Sequence, residues 1–364
     1  MKNALICDDT IYLAKALDKF GGLQVVQDGR DFIVTRIAEQ LTAPAEPLYV
    51  GGAGTPARFL LAFAATASGE TTVTGNARLS ERPMGHVLES LSAAGIAWTA
   101  GGKHHCLPVT VKGGIPSNFQ WEVNGTVSSQ FVSSMLLFAA QQKTDRVEIA
   151  VKEGMVSVPY VRMTMAMMRG VGIKIDQISE CKFVVYPNRP QAAEIKIEVD
   201  ASGMSYLLTA AALTQSTVTI PGIGEESVQG DVGLVRAYER MGCEVRFDKD
   251  SITLKGAPLH GIEIDMEDMP DVVLSLAIAA SQASSPTHIT NIANLRVKNA
   301  RRVGHRCAVD HIGVRRPYSQ DAKLAAVVRQ HEQCAILLRH DETRAARRLV
   351  RPVTRRREPR DFAI

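Results

Sequence analysis

The chain has 364 residues, 45% of them hydrophobic and 22% charged, with a formal net charge of +4. Such a composition supplies core for one large or two medium domains and excludes a disordered chain, and no apolar run reaches the roughly 18 residues that a membrane span needs. Six cysteines without a CxxC or a Cys/His cluster exclude a disulfide framework and a zinc site, and are expected to be buried free thiols.

The charge is unevenly divided. From Asn299 onward there are 16 Lys+Arg against 7 Asp+Glu, whereas the preceding 298 residues hold 26 against 31. The body is mildly acidic and the tail basic, and 15 of the 16 tail cations are Arg, with "RRLVRPVTRRREPR" near the end. The opening "MKNALICDDT" lacks the apolar core of a secretory signal, so a cytoplasmic protein is expected.

Taken in chain order, the first predicted helix covers 9–20. It is followed by "YVGGAGTPARFLLAFAATAS", a strand, a glycine turn and an apolar helix over 56–68. Glycines let backbone N–H groups approach an anion, and a helix start adds unpaired donors and the positive end of the dipole. The stretch is neither a Walker A loop nor a dinucleotide GxGxxG, so nucleotide binding has no support. A strand in "TTVTG" and a helix over 83–94 come next, and then "SSQFVSSMLLFAA", an almost wholly apolar helix over 129–142. Ser128 and Ser129 can cap it while offering hydroxyls to an anionic oxygen, and Gln130 adds an amide donor; capping alone accounts for one serine. "VEIAV" is a strand, and "VSVPYVRMTMAMM" repeats the arrangement with Ser157 and Tyr160 at the head of a Met-rich helix over 159–170, whose methionines are packing. Strands in "KFVVY" and "EIKIEV", a helix over 203–214, a strand in "STVTIPG", a helix over 231–241 and a strand in "SITLKG" follow. "DMEDMPDVVLSLAIAA" sets Asp271 in the first turn of a helix over 271–283, either as a carboxylate satisfying the dipole or as an acid/base group at a cleft. "THITNIANLRVK" closes the readable part with a strand and a polar loop carrying Asn294 and Lys298.

Alternating helices and short strands predict an α/β (α+β) fold. An internal repeat is visible: residues 69–98 parallel 215–245 as strand, polar loop, helix, glycine, strand, and a third copy starts at 285–298 before dissolving. In this overlay Arg82 and Lys298 are equivalent, two cations suited to one anion between related halves.

Together "GGAGTPAR", "LSERPMGH", "VNGTVSSQF", "VSVPYVRMT", "VQGD", "MPDVV" and "NIANLRVK" resemble the 5-enolpyruvylshikimate-3-phosphate (EPSP) synthase family in unbroken order from about Asn3 to Lys298. The resemblance implies two domains of βαβαββ units, an inside-out α/β barrel, with a boundary near Asp200: 1–199, 200–298, and the divergent tail 299–364. It implies transfer of the enolpyruvyl group of phosphoenolpyruvate to the 5-hydroxyl of shikimate 3-phosphate, with release of phosphate, a step of aromatic amino acid (chorismate) biosynthesis. It implies no cofactor and no metal, a monomer, and neither a membrane nor a nucleic acid as partner. Residue by residue, Ser128, Ser129, Ser157 and Tyr160 would hold shikimate 3-phosphate, while Gly54, Thr55, Arg82 and Gln130 would face phosphoenolpyruvate or the junction of the two ligands. Asp271 would act on the 5-hydroxyl, Lys298 and Asn294 would lie near the 3-phosphate, and Arg302 would be a further ligand.

Departures are expected to matter. Gly52 stands where the family has Asn, and with Pro56 and Ala57 it alters the phosphoenolpyruvate-side loop, which bears on glyphosate response. The family's opening segment with a Lys-Ser pair and an Arg has no counterpart, Asn299 replaces a Glu and Arg301 an Asp, and "VDHIGV" has Ile312 where Arg belongs, so the fold is expected to be incomplete at both ends. An Arg-rich, Lys-poor tail beginning where similarity stops is what out-of-frame reading of a GC-rich gene would give. At about 1.5–3 kcal/mol for each lost charged hydrogen bond, several powers of ten in rate are at stake, so the alternative is a catalytically impaired relative that binds substrate weakly. The UDP-N-acetylglucosamine enolpyruvyl transferases are a second alternative, but Cys106 lacks the glycine-containing loop of their reactive cysteine. The 15 tail arginines could instead bind nucleic acid, but aromatics there are limited to Tyr318 and Phe362, and a solvated tail is expected.

Overall fold

A computed structural model describes residues 1–292, Leu295 and the backbones of three short strands, His311–Val314, Leu324–Val327 and Ala335–Leu338. The chain opens with a helix, α1 (Asp8–Asp18), and a hairpin, β1 (Leu23–Asp28) with β2 (Asp31–Arg36), paired antiparallel. Two complete βαβαββ units follow. The first runs β3 (Leu48–Tyr49), α2 (Gly54–Ala64), β4 (Gly69–Thr74), α3 (Gly85–Ala93), β5 (Trp98–Ala100), β6 (Val109–Gly113) and makes a sheet of order β3-β4-β6-β5. The second runs β7 (Gln120–Gly125), α4 (Ser129–Ala139), β8 (Val147–Met155), α5 (Val158–Gly170), β9 (Lys174–Ser179), β10 (Lys182–Tyr186), with the equivalent order β7-β8-β10-β9. In both, the first two strands are parallel, because a helix crosses over between them, and the last two form an antiparallel hairpin.

The rest of the chain repeats this theme. α6 (Ala201–Thr214), β11 (Thr217–Pro221), α7 (Gly233–Arg240), β12 (Glu244–Phe247) and β13 (Ser251–Lys255) give the order β11-β13-β12, which is the same unit without a first strand. Then β14 (Glu263–Asp265), α8 (Val273–Ala280) and β15 (Thr287–Thr290) begin another, with β14 and β15 parallel. The sequence repeat at 69–98, 215–245 and 285–298 is therefore one member short. β8, α5 and β9 form the missing copy, disguised because its strand-to-helix loop is two residues, Val156 and Ser157, rather than a long polar stretch.

Burial divides between two hydrophobic cores. One spans Ala16 to Val185 and is centred on Leu61, Trp121, Phe131, Phe138 and Phe183; the other spans Ala201 to Ile292, around Leu208, Leu234, Tyr238, Ile252 and Leu276. α2 and α4 are apolar on nearly every face and lie inside the first core, as helices with no polar side must. Trp121 stacks on Phe138 at 5.0 Å, joining β7 to α4.

One expected strand is not formed. "EIKIEV" makes a single parallel bridge, Lys196 with Lys2, in which the Lys2 N–H donates to Ile195 O at 2.7 Å and the Ile197 N–H to Lys2 O at 2.9 Å. The segment 1–4 is bonded on its other side to the hairpin, Phe32 N to Met1 O at 3.0 Å and Ala4 N to Arg30 O at 2.8 Å. Backbone between the two cores is thus tied to the start of the chain. The helix predicted over 271–283 is shorter than expected: a 3-10 turn at Pro270–Val272 precedes α8, which ends at Ala280.

Candidate active site

The glycine turn before α2 is needed for shape. Gly51 has φ +57 and lies under the ring of Tyr12, where an added Cβ would come within 2.4 Å. At Gly54, the first residue of α2, an added Cβ would sit 2.3 Å from Nη1 of Arg82, so the guanidinium rests directly on the helix start. Arg82 reaches it from the end of a 3-10 turn, Leu79–Glu81, which is held by the Leu79 N–H donating to Asn76 Oδ1 at 3.0 Å. Burial, then the nearby Arg78, holds the Arg82 guanidinium below its usual pKa, with Asp9 pulling the other way.

α4 begins alongside α2. Ser128 is its N-cap, its hydroxyl accepting from the Gln130 backbone N–H at 3.3 Å, and both Ser128 and Ser129 are buried. The Gln130 side chain donates through Nε2 to Thr55 Oγ1 at 2.8 Å and accepts at Oε1 from Nη1 of Arg58. Arg58, one turn into α2, is 6% exposed, lies over the Phe131 ring at 5.0 Å, and has a buried Nε with no hydrogen-bond partner among the described residues. Burial, with Arg82 adding repulsion, pulls its pKa down to about 10, so it is still charged at neutral pH. A buried and a half-buried cation therefore stand close together at the starts of α2 and α4. Burying charge without compensation costs several kcal/mol, which an arriving anion would offset.

The head of α5 is built differently. Ser157, its N-cap, is held in the left-handed region at φ 54, and its buried Oγ has no partner among the described residues. Tyr160, in the first turn, donates to Asp271 Oδ2 at 2.9 Å and stands 3.4 Å from both oxygens of Asp231. Burial first, and then these two carboxylates, raise the phenol far above its usual range. Asp231, at the 3-10 turn Gly230–Val232, is 3% exposed and also accepts from Ser202 Oγ in the first turn of α6. Ser133 Oγ and Thr164 Oγ1 at 2.8 Å fasten α4 to α5. Contacts thus link the starts of α2, α4, α5 and α6 and the turn before α8 into one region, a concentration of N–H donors and positive dipole ends.

Of the residues expected from the sequence, Gly54, Thr55, Arg82, Ser128, Ser129, Gln130, Ser157, Tyr160 and Asp271 all lie at these helix starts; Asn294, Lys298 and Arg302 lie outside the described residues. Two members of the cluster escaped the sequence reading, Arg58 and Asp231. The signal for Arg58 was a lone cation inside "TPARFLLAFAA", and that for Asp231 an acid at the head of a helix in "VQGD". Among the described residues no group of three His, Cys, Asp or Glu is arranged to hold a metal ion, and no helix is long and apolar enough to cross a membrane.

The arrangement can hold small polyanions and present hydroxyls, an amide and a carboxylate to them, which is what joining two phosphorylated metabolites requires. Comparisons with known proteins agree. A sequence model described as EPSP synthase (3-phosphoshikimate 1-carboxyvinyltransferase) matches residues 1–310, twelve residues beyond the Lys298 at which the motif reading stopped. The chain is 33% identical over 306 residues to the 3-phosphoshikimate 1-carboxyvinyltransferase of Pseudoalteromonas translucida, covering 83% of this chain and 72% of that protein. It is 35% identical over 327 residues to a chloroplastic enzyme of the same name from Nicotiana tabacum, covering 83% of this chain and 62% of that one. Its fold superposes on an EPSP synthase from Acinetobacter baumannii with a TM-score of 0.67 at 23% identity, over 81% of this chain and 68% of that one. The chain belongs to the EPSP synthase family, whose named members are transferases.

Proposed function

We propose that this chain carries out the family reaction, transfer of the enolpyruvyl group from phosphoenolpyruvate to the 5-hydroxyl of shikimate 3-phosphate. One observation carries the reading: Arg58, buried, and Arg82, half-buried, are gathered with the Ser128-Ser129-Gln130 helix start where anions would be neutralised. In this reading Ser128, Ser129, Ser157 and Tyr160 bind shikimate 3-phosphate, and Gly54, Thr55, Arg82 and Gln130 bind phosphoenolpyruvate. The 5-hydroxyl adds to C2 of phosphoenolpyruvate as C3 takes a proton, giving a tetrahedral intermediate; the C2–O bond to phosphate then breaks and a proton leaves C3, which restores the double bond and releases inorganic phosphate. Asp271, held by Tyr160, orients the 5-hydroxyl and takes its proton, while the fixed donors stabilise charge on the departing phosphate. Lys298, Asn294 and Arg302 complete the proposed ligand set.

We further place a domain boundary near Asp200, between the two cores, and take the chain to act as a cytoplasmic monomer. The test is release of inorganic phosphate from phosphoenolpyruvate with and without shikimate 3-phosphate, in the unmodified chain and in Lys298→Ala. Release that needs both substrates, and falls at least tenfold in the variant, is expected. Binding of shikimate 3-phosphate without any release would identify a chain that has kept the site and lost turnover.

A further inference from the structure

The contact of Arg58 with Gln130 has a direction, and the direction follows from valence. A guanidinium carries only donors, so the Gln130 atom facing Arg58 Nη1 must be the carbonyl oxygen. The amide NH2 then necessarily faces Thr55 Oγ1, 2.8 Å away, and the threonine oxygen accepts. A hydroxyl has one hydrogen; with its oxygen engaged by Gln130, that hydrogen is left for a partner at the start of α2, beside Gly54 and Arg82. Arg58 itself is poorly placed to meet a ligand. It is 6% exposed, packed over Phe131, and turned toward α4.

We propose that Arg58 is a positioning residue that acts on the anion at the start of α2 through a one-way relay, Arg58 to Gln130 to Thr55, whose last member donates its hydroxyl hydrogen to the ligand. The proposal rests on the phosphoenolpyruvate-side reading above for the identity of that anion. The relay leaves the second hydrogen of the Gln130 amide available to the same ligand, so one buried cation would orient two donors. It also gives a reason for a buried Arg in an otherwise apolar helix turn: lysine, a point donor without the planar fork, would hold the amide less firmly.

Two experiments decide it. In the first, phosphoenolpyruvate is titrated calorimetrically into the unmodified chain saturated with shikimate 3-phosphate, and into Arg58→Met, Thr55→Val, the double variant and Gln130→Glu. Each single change is expected to weaken binding by about tenfold to a hundredfold, and the Arg58→Met/Thr55→Val double variant to lose clearly less than the product of the two single losses, since one of the two donors that Arg58 orients is the Thr55 hydroxyl itself. Gln130→Glu is expected to match Thr55→Val while raising the melting temperature, because a carboxylate pairs with Arg58 but accepts from Thr55 and turns its hydrogen away. Losses that multiply in the double variant would mean that Arg58 touches the ligand directly, and would overturn the relay. In the second, hydrogen exchange of the Gln130 side-chain NH2 is followed by NMR without any ligand, in the unmodified chain, Arg58→Met and Arg58→Lys. Exchange at least tenfold faster in both variants supports the relay, and unchanged exchange in either folded variant overturns it. If the unmodified chain binds no phosphoenolpyruvate, the substrate reading fails and the exchange measurement alone decides the relay.

Discussion

Tyr160 joins the two cores by a single hydroxyl. Its helix, α5, packs in the first core through Val161 and Met165, while its acceptors Asp231 and Asp271 belong to turns that pack in the second. Removing the hydroxyl by Tyr160→Phe is expected to cost about 1 kcal/mol at pH 7, because the exposed Asp271 loses its 2.9 Å donor and the buried Asp231 a polar neighbour at 3.4 Å. The alkaline behaviour has a definite sign. The folded phenol binds its proton more tightly than the unfolded one, whose pKa is near 10, so above that pH the folded state holds more protons and stability falls as pH rises. Tyr238, raised chiefly by burial, contributes in the same direction. Urea denaturation between pH 9 and 11 should therefore show a shallower loss of stability in Tyr160→Phe than in the unmodified chain; equal slopes would show that the phenol is not proton-linked to folding.

At the scale of elements, glycine marks where two pieces come too close for a side chain, and what lies opposite decides the consequence. Opposite Gly54 is the far end of Arg82, a flexible side chain, so Gly54→Ala should fold normally and displace the guanidinium. We expect about tenfold weaker phosphoenolpyruvate binding, equivalent to about 1.4 kcal/mol, with the melting temperature little changed. Opposite Gly113, at the end of β6, is the backbone oxygen of Ala67, only 1.6 Å from an added Cβ. A backbone cannot step aside cheaply, so Gly113→Ala should cost about 3 kcal/mol or more, read from denaturation midpoints, without touching the site. The crossover unit also explains why helix starts gather: in each complete unit the two helices follow two adjacent parallel strands, so their N-termini lie at the same end of the sheet.

For the molecule as a whole, the division of buried residues into two cores predicts two events on heating. Calorimetry should resolve two transitions in the unmodified chain, the larger belonging to the core that spans Ala16 to Val185. Ligands held by both sides stabilise only the state in which both sides are folded, by about 2.7 kcal/mol at a hundred times the dissociation constant. Shikimate 3-phosphate with phosphoenolpyruvate should therefore draw the two transitions together; a single transition without ligand would contradict the two-core description.

Local chemistry in the sequence was enough to locate the helices. Apolar periodicity and the capping residues placed α4 and α5 to within a few residues, and the capping role of Ser128 is visible in the order of residue types alone. The repeat followed from the order of strands, polar loops and helices, and the family from the resemblance of seven motifs, in sequence, to EPSP synthases. What the sequence did not decide depends on which distant segments meet. The burial of Arg58 against Gln130, 72 residues away, the convergence of Asp231 and Asp271 on Tyr160, and the failure of "EIKIEV" to become a strand are fixed by neighbours brought in by the tertiary fold. Helix propensity and capping act over a few residues, but desolvation and hydrogen-bond partnership depend on the whole surrounding structure, so only that structure could reveal a buried and a half-buried cation placed close together.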